Sequence, residues 1–547
     1  MPGLQPFWLA CGSAVRFARR HGLLKTLRLA VSGASTLGVR GLIRRAAAEN
    51  HAQEDDARYR ETFVAAGFSR PGAGPAEAGH YISIVTAAFN TDPRWLQRCI
   101  DSVRAQSYPR WELCICDDGS TRTETVDLLR ALADDRRVKV IRSSVNGGIV
   151  QASNAALAIA TGEFVGFLDH DDELAPEALA DVAARLQDDS SIDVIYTDED
   201  KIDETGAPSS PHFKPDWSPE LLRSCMYVSH FTVMRRTLVR DLDGLRAGTD
   251  GAQDYDLALR AAAAGARIAH MPKVLYHWRM APGSGAASQL GKPWAIDAGR
   301  RVLEEDARRR SIVAAGFSRP VETTVVSTEA AGHYRILRRA TPRPAVAVIA
   351  SNPGTQTLNV AAREARGDYL VLLDETARPV TAAWIEALLD VCQDSEVGAV
   401  AGIVVTKDDI IDSAGLVIGA SGAILPAFRG EPRWAHGHRS NLLDVRNCAA
   451  VGTACLMTRR DVFERLGGVD GARWPRTWSV DYSLKARREG LRIAVTPNAV
   501  FQRDAREEFP DDETARLREV WGEWLTQDPY YNPNFDQRQA TFRLPPS

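Results

Sequence analysis

The sequence predicts an α/β protein: a doubly wound, mainly parallel sheet, followed by a second, truncated copy of the same module. Three observations predict it. Strand-like and helix-like segments alternate over residues 81–168, acidic or polar clusters sit where those strands end, and a set of spaced residues recurs in the second half of the chain. Alternation of this kind builds parallel sheets covered by helices. Such sheets bind ligands at the carboxyl ends of their strands.

Tyr81–Thr86 reads as the first strand and is followed by the loop Ala87-Ala-Phe-Asn-Thr91. Trp95–Gln106 has helical periodicity. Trp111–Cys116 is a second strand that runs into Asp117-Asp118-Gly119-Ser120. A helix, the strand Val138–Arg142, the turn Asn146-Gly147-Gly148 and the helix Gln151–Ala160 come next. Phe164–Leu168 is then a short apolar run suited to a buried strand. It stops at Asp169-His170-Asp171-Asp172-Glu173, where so many carboxylates repel one another unless a cation sits among them. Asp169 and Asp171 are one residue apart, so their oxygens can converge on one ion. Hard oxygen ligands with room left for phosphate suit Mg²⁺ or Mn²⁺.

The repeat makes these motifs more specific than any of them is alone. Asn154, Gly162 and Asp169 are spaced like Asn359, Gly367 and Asp374. Gln253-Asp-Tyr-Asp-Leu257 matches Val480-Asp-Tyr-Ser-Leu484, Gly265–Pro272 matches Gly490–Pro497, and Val64–Pro71 is copied as Val313–Pro320. The copies are unequal. The second has Asp374-Glu375-Thr376 in place of Asp-x-Asp, Gln502 in place of His277, and no counterpart of Asp117-Asp118-Gly119.

Composition narrows the class. The chain has 547 residues, 44% apolar and 25% charged, which is ordinary for globular domains. Its net charge of −4 disfavours a nucleic-acid partner. No run of 18 apolar residues predicts a membrane span. The arginines near the start follow the apolar stretch rather than precede it, unlike a secretory leader. Residues 1–48 hold eight Lys or Arg and no acid, in a helical pattern able to lie on an anionic membrane surface. The expectation is a cytoplasmic protein with peripheral contact at the inner membrane face through residues 1–45. The eight cysteines show no metal-type spacing and read as reduced, with no zinc site expected. The predicted divisions are a basic helical region at 1–60, a catalytic module at 80–305, a degenerate module at 340–505 and a tail at 506–547.

Taken together, Ser83–Asn90, Asp117-Asp-Gly-Ser120, Asn146-x-Gly148, Asp169-His-Asp-Asp172, Gln253-Asp-Tyr-Asp256 and Tyr276-His-Trp-Arg279 resemble family 2 glycosyltransferases of the GT-A fold. The likeness is dense over 80–285 and degenerate over 345–505. Phe213–Ser218 and Asp528–Pro533 resemble the subgroup that builds bacterial O-antigen, rhamnan and related surface polysaccharides. The resemblance implies an inverting transferase that moves a sugar from a UDP- or dTDP-linked donor to a glycan or lipid-linked glycan. It assigns Asp254 as catalytic base. Thr86, Ala88, Asn90, Asp117, Asp118, Asn146, Gly148, Asp169 and His170 are expected at the donor, and Asp171 and His277 at the metal. Lys214, Asp216, Trp217, Trp278 and Arg279 are expected at the acceptor. Tyr255–Ala264 looks helical, which also makes Asp254 a candidate N-cap. The competing readings are two active modules, a non-catalytic glycan-binding scaffold, and a nucleotidyltransferase. The last would need a Gly-rich basic loop that Ala87–Asp92 does not provide.

Overall fold

A computed structural model describes residues 55–64, 79–280, 293–310, 321–351, 356–419 and 422–546. The basic stretch 1–45, the Gly/Pro linker near residue 73 and nearly all of the copied octapeptide pair lie outside the described residues.

The first sheet contains β1 (Ile82–Ala88), β2 (Trp111–Asp117), β3 (Val138–Arg142), β4 (Phe164–Phe167), β5 (Glu173–Leu174), β6 (Val194–Ile202), β7 (Pro208–His212), β8 (Thr232–Arg235) and β9 (Ile268–Arg279). Their order is β3-β2-β1-β4-β8-β6-β9-β5, with β7 paired to β6. Neighbours from β3 to β4 are parallel, as are β6 and β9. β8 runs antiparallel to both β4 and β6, so the sheet is more mixed than the sequence suggests. The reason is local. The chain returns from β6 to β8 through β7, an irregular segment and one short helix, and an antiparallel return needs no crossover helix.

Alternation along the central strands feeds two cores. Ile82, Ile84, Leu113 and Ile115 face the helices Pro93–Arg104 and Ala178–Asp188. Val85, Cys114, Cys116 and Val165 face the helices Ile149–Ile159 and Gln253–Ala263. Both faces are therefore covered, which is why β2 is buried at every position.

A hairpin of β10 (Val321–Ser327) and β11 (Tyr334–Ala340) leads into the second module. There follow β12 (Val346–Ser351), β13 (Tyr369–Asp374), β14 (Arg378–Pro379), β15 (Val397–Val405), β16 (Ile411–Ser413), β17 (Leu416–Ile418), β18 (Ile424–Pro426), β19 (Arg446–Asn447), β20 (Cys455–Arg459) and β21 (Arg492–Gln502). The main sheet runs β12-β13-β20-β15-β21-β14. This is the order β1-β4-β8-β6-β9-β5 with the positions of β2 and β3 missing.

The repeated residues have the same structural work in both copies. Asn154 donates to the Leu245 carbonyl at 2.8 Å and accepts from the Leu245 amide at 2.9 Å. Asn359 makes the same pair with Val469, at 2.7 and 3.0 Å. Gly162 and Gly367 let the chain approach the first strand of each sheet. A Cβ at Gly162 would lie 2.7 Å from the Ser83 nitrogen, and one at Gly367 would lie 2.8 Å from the Ala347 nitrogen.

The modules meet across buried ion pairs, Arg492 with Glu220 at 2.8 Å and Arg223 with Asp394 at 2.9 Å. The tail docks on the first module: Asn532 donates to Asp198 and to the Lys214 carbonyl, and the Asp216 amide donates to the Pro529 carbonyl. The two segments that resemble the polysaccharide subgroup thus touch each other. No helix among the described residues is long and apolar enough to cross a membrane.

Candidate functional site

β1, β2 and β4 end side by side, and the loops beyond them form the floor of the candidate site. Thr86 is buried in β1, and its hydroxyl has no hydrogen-bond partner. Ala88 pairs in register with Asp117. Asn90 braces the β1 loop against the β2 loop, its side-chain oxygen accepting from the amides of Thr121 and Arg122 at 2.8 and 2.9 Å. Asp117 accepts from the Ser120 amide and lies 3.3 Å from the Arg142 guanidinium. Asp118 uses both oxygens on the turn at 146–148, accepting from the Gly147 and Gly148 amides at 2.8 and 2.9 Å. Asn146 also accepts from the Gly148 amide. Gly148 itself has a φ of 90°, a conformation that favours glycine.

Beyond β4 the four acids separate into different roles. Asp169 is the open one, its side chain about half exposed, 51%. Asp171 is 22% exposed and faces His170 at 3.6 Å. Asp172 turns inward, accepting from the Tyr276 hydroxyl at 2.5 Å and the Arg279 amide at 2.7 Å. Burial, then the neighbouring Asp171 and Asp169, pushes its carboxyl well above the usual range. Glu173 pairs with Arg279.

His230 is a candidate site residue that sequence reasoning missed. It stands just before β8 and stacks on Tyr276 at 4.6 Å, with Trp278 at 5.5 Å. Its Nε2 lies 3.8 Å from Asp169, and its Nδ1 lies 3.3 Å from Glu199. Burial opposes charging of the ring, but Glu199, Asp169 and Asp172 outweigh it and raise its pKa to about 9. No spacing signal announces this histidine. Its partner Glu199 also holds Lys214 at 3.1 Å.

Asp254 lies in the first turn of the helix Gln253–Ala263, whose cap is Ala252, so the expected N-cap role is corrected. Its carboxylate accepts from the adjacent Tyr255 amide at 2.8 Å. Burial raises its pKa, the His230 charge lowers it, and Asp169 raises it further. Asp254, His230 and Asp169 therefore share one electrostatic environment.

His277 lies on β9 opposite Glu173. Its Nδ1 is 2.6 Å from Asp200, which itself accepts from the Tyr59 hydroxyl. A carboxylate on one imidazole nitrogen is the arrangement that orients the other toward a metal. Among the described residues no three ligand atoms gather around Asp171 and His277. A Mg²⁺ or Mn²⁺ ion held by Asp171 and His277 would need water and substrate phosphate to fill its shell.

The acceptor expectations divide. Lys214 and Arg279 are fully buried, and this corrects their expected role. Lys214 donates to Glu199 and to the carbonyls of Val228 and His230, while Arg279 lies on Trp95 and donates to the Asp171 carbonyl. Asp216 is half exposed beside His270, and Trp217 is partly buried against the core. Trp278 stays near the surface next to His230, with the Lys201 ammonium 5.1 Å from its ring. A cleft of about 260 Å³ opens farther along, lined by Phe213, Trp434, His438, Arg439, Phe535 and Arg543 among others. Between this cleft and the site stands His212, which bonds Glu199 and lies 6.0 Å from the His438 ring.

In the second module the matching positions are closed. Asp481 accepts from the Trp521 indole at 3.1 Å and pairs with Lys485 at 2.7 Å. Asp374 accepts from the Thr376 amide and hydroxyl.

Residues 83–243, which span β1 to the helix beyond β8, match the family described as Glycosyl transferase family 2. The Bacillus subtilis putative glycosyltransferase EpsE is 30% identical over 237 residues, covering 43% of this chain and 84% of EpsE. The chain belongs to glycosyl transferase family 2. Two long relatives align with both modules of this family 2 protein. The Sinorhizobium fredii protein y4gI is 34% identical over 85% of the chain, and the Myxococcus xanthus O-antigen biosynthesis protein RfbC is 32% identical over 83%. The chain spans 59% and 40% of their lengths, respectively.

Proposed function

We propose that this family 2 protein is an inverting glycosyltransferase of bacterial surface polysaccharide synthesis. It transfers a sugar from a UDP- or dTDP-linked donor to a glycan or lipid-linked glycan acceptor. The observation that carries this reading is His230 facing Asp169 at 3.8 Å, with buried Asp254 within the electrostatic reach of both, in the one module that retains β2 and β3.

In this reading the β1 and β2 loops, with Thr86, Ala88, Asn90, Asp117 and Asp118, shape the nucleoside pocket. Asn146 and Gly148 close its edge, and Asp169 and His170 face the sugar diphosphate. Asp171 and His277 would hold Mg²⁺ or Mn²⁺, which when bound neutralises charge on the departing nucleoside diphosphate. His230, held cationic by Glu199 and Asp169, adds positive charge on the same side. Asp254 takes the proton of the acceptor hydroxyl as its oxygen attacks the anomeric carbon from the face opposite the leaving group. A carboxylate with a raised pKa is a stronger base than a free one. Trp278 and the aromatic cleft beyond His212 give apolar sugar faces a surface on which to stack, with Arg439 and Arg543 for hydroxyls. Asp216 and Trp217 border the same side.

One active module is favoured over two. The second lacks β2 and β3, and Trp521 and Lys485 occupy Asp481. The test is a turnover screen of nucleotide sugars, UDP- and dTDP-linked first, with and without metal. Asp254→Asn is expected to lower turnover by about 10²–10⁴-fold with donor affinity retained. Asp171→Ala should lose both turnover and metal-dependent donor binding. A chain indifferent to every nucleotide sugar, with or without metal, would refute the proposal.

A further inference from the structure

The junction of the modules holds a cluster that sugar transfer does not use. Cys225 lies on the segment leading to His230, His333 stands just before β11, and Asp444 stands just before β19. The cysteine sulfur, a ring nitrogen of His333 and a carboxylate oxygen of Asp444 all lie within 4.8 Å of one another. No other trio of Cys, His, Asp or Glu is so spaced among the described residues. We propose that Cys225, His333 and Asp444 bind a Zn²⁺-class divalent cation that clips the first module, the hairpin and the second module together. The inference is independent of the proposed transfer reaction.

The donor set decides the class of ion. Sulfur, imidazole nitrogen and carboxylate oxygen form a borderline-soft set, unlike the hard oxygens expected to favour Mg²⁺ at Asp171. Zinc bonds of about 2.0–2.3 Å place ligand atoms about 3.3–3.7 Å apart around a tetrahedron, with a fourth position open to water. The His333–Asp444 pair would open by a few tenths of an ångström to reach that spacing, and the Cys225 sulfur already lies within 4.8 Å of both. His333 Nδ1 lies 3.0 Å from one Asp444 oxygen and 2.9 Å from the other. One N–H cannot point well at both, so the buried carboxylate has lone pairs left for a cation. The Asp444 side chain is fully buried, and that of His333 is 11% exposed.

The backbone already holds the three ligands in place. Cys225 and His333 face each other in an antiparallel bridge, the Tyr334 amide donates to the Ser224 carbonyl at 2.7 Å, and the Ser224 hydroxyl donates to the Val445 carbonyl at 3.1 Å. Burial first, then Asp444, keeps the Cys225 thiol protonated while no cation is present. Metal binding must release that proton, so affinity should rise with pH. Sequence spacing hides the site, since His333 and Asp444 are 111 residues apart. Its placement also matters for the candidate catalytic site. Tyr255, beside Asp254, bonds the Leu222 carbonyl on the Cys225 segment, so the clip would stiffen the strap between base and junction.

The test uses the full chain, stripped of metal with a chelator and titrated with Co²⁺, then Zn²⁺. One Co²⁺ per chain should bind with a thiolate-to-cobalt charge-transfer band, be displaced by Zn²⁺ and resist excess Mg²⁺. Cys225→Ser should abolish the band, and His333→Ala should weaken Zn²⁺ binding by more than about tenfold. Asp171→Ala should keep both, which separates this site from the one at the donor. Should Cys225→Ser fail to fold, Zn²⁺ should still protect Cys225 of the unaltered chain from alkylation. Absence of the band, a band that persists in Cys225→Ser, or alkylation of Cys225 unaffected by Zn²⁺ would each overturn the proposal.

Discussion

His230 shows how a single side chain acquires a function from its neighbours. Glu199, Asp169 and Asp172 raise its pKa from 6.5 to about 9, so the folded protein holds a proton that the unfolded chain gives up near neutrality. The sign follows from linkage. The stabilisation is fully present below pH 6.5 and is lost as pH rises through 9. His230→Gln should therefore flatten the fall of the unfolding temperature over that interval, as read by calorimetry at a series of pH values. An unchanged slope would mean that the ring is not charged in the folded state. Glu199 makes the converse case, because Lys214 beside it is fully buried. Glu199→Gln should destabilise the protein by about 3–5 kcal/mol in urea unfolding, since it strands a buried ammonium.

At the scale of elements, the two sheets explain what the repeated residues are for. Asn154 and Asn359 each clamp a loop that follows the helix after β8 or β20, with one donated and one accepted bond. Removing either side chain leaves a part-buried amide and carbonyl unpaired. Asn154→Ala and Asn359→Ala should each cost about 2 kcal/mol in chemical unfolding. Equal losses would mark the motif as a device of folding, whereas a loss of turnover without a loss of stability at Asn154 would assign it to the site. The motif was legible from spacing alone, but its meaning was not. A repeated asparagine looks the same in sequence whether it binds a ligand or a loop.

For the whole molecule, the second module is the first without β2 and β3, and the tail helix Asp511–Trp521 supplies the indole that covers Asp481. Asp374→Ala and Asp481→Asn are accordingly expected to leave turnover unchanged, measured beside Asp171→Ala in the same nucleotide-sugar assay. Loss of activity in Asp374→Ala equal to that in Asp171→Ala would favour two working sites. The buried pairs Arg492–Glu220 and Arg223–Asp394 also cross between the modules, so removing one partner would leave an uncompensated buried charge at the junction.

The sequence by itself determined the layered α/β architecture, the tandem copies and the acidic strand end. Those features rest on periodicity and spacing, which local chain geometry writes directly into residue order. Tertiary structure alone decided that β8 runs antiparallel, that Lys214 and Arg279 face inward, that His230 stands between Glu199 and Asp169, and that Cys225, His333 and Asp444 meet. Each of these depends on contacts between segments far apart in the chain, where burial and charge are set by neighbours that spacing cannot name.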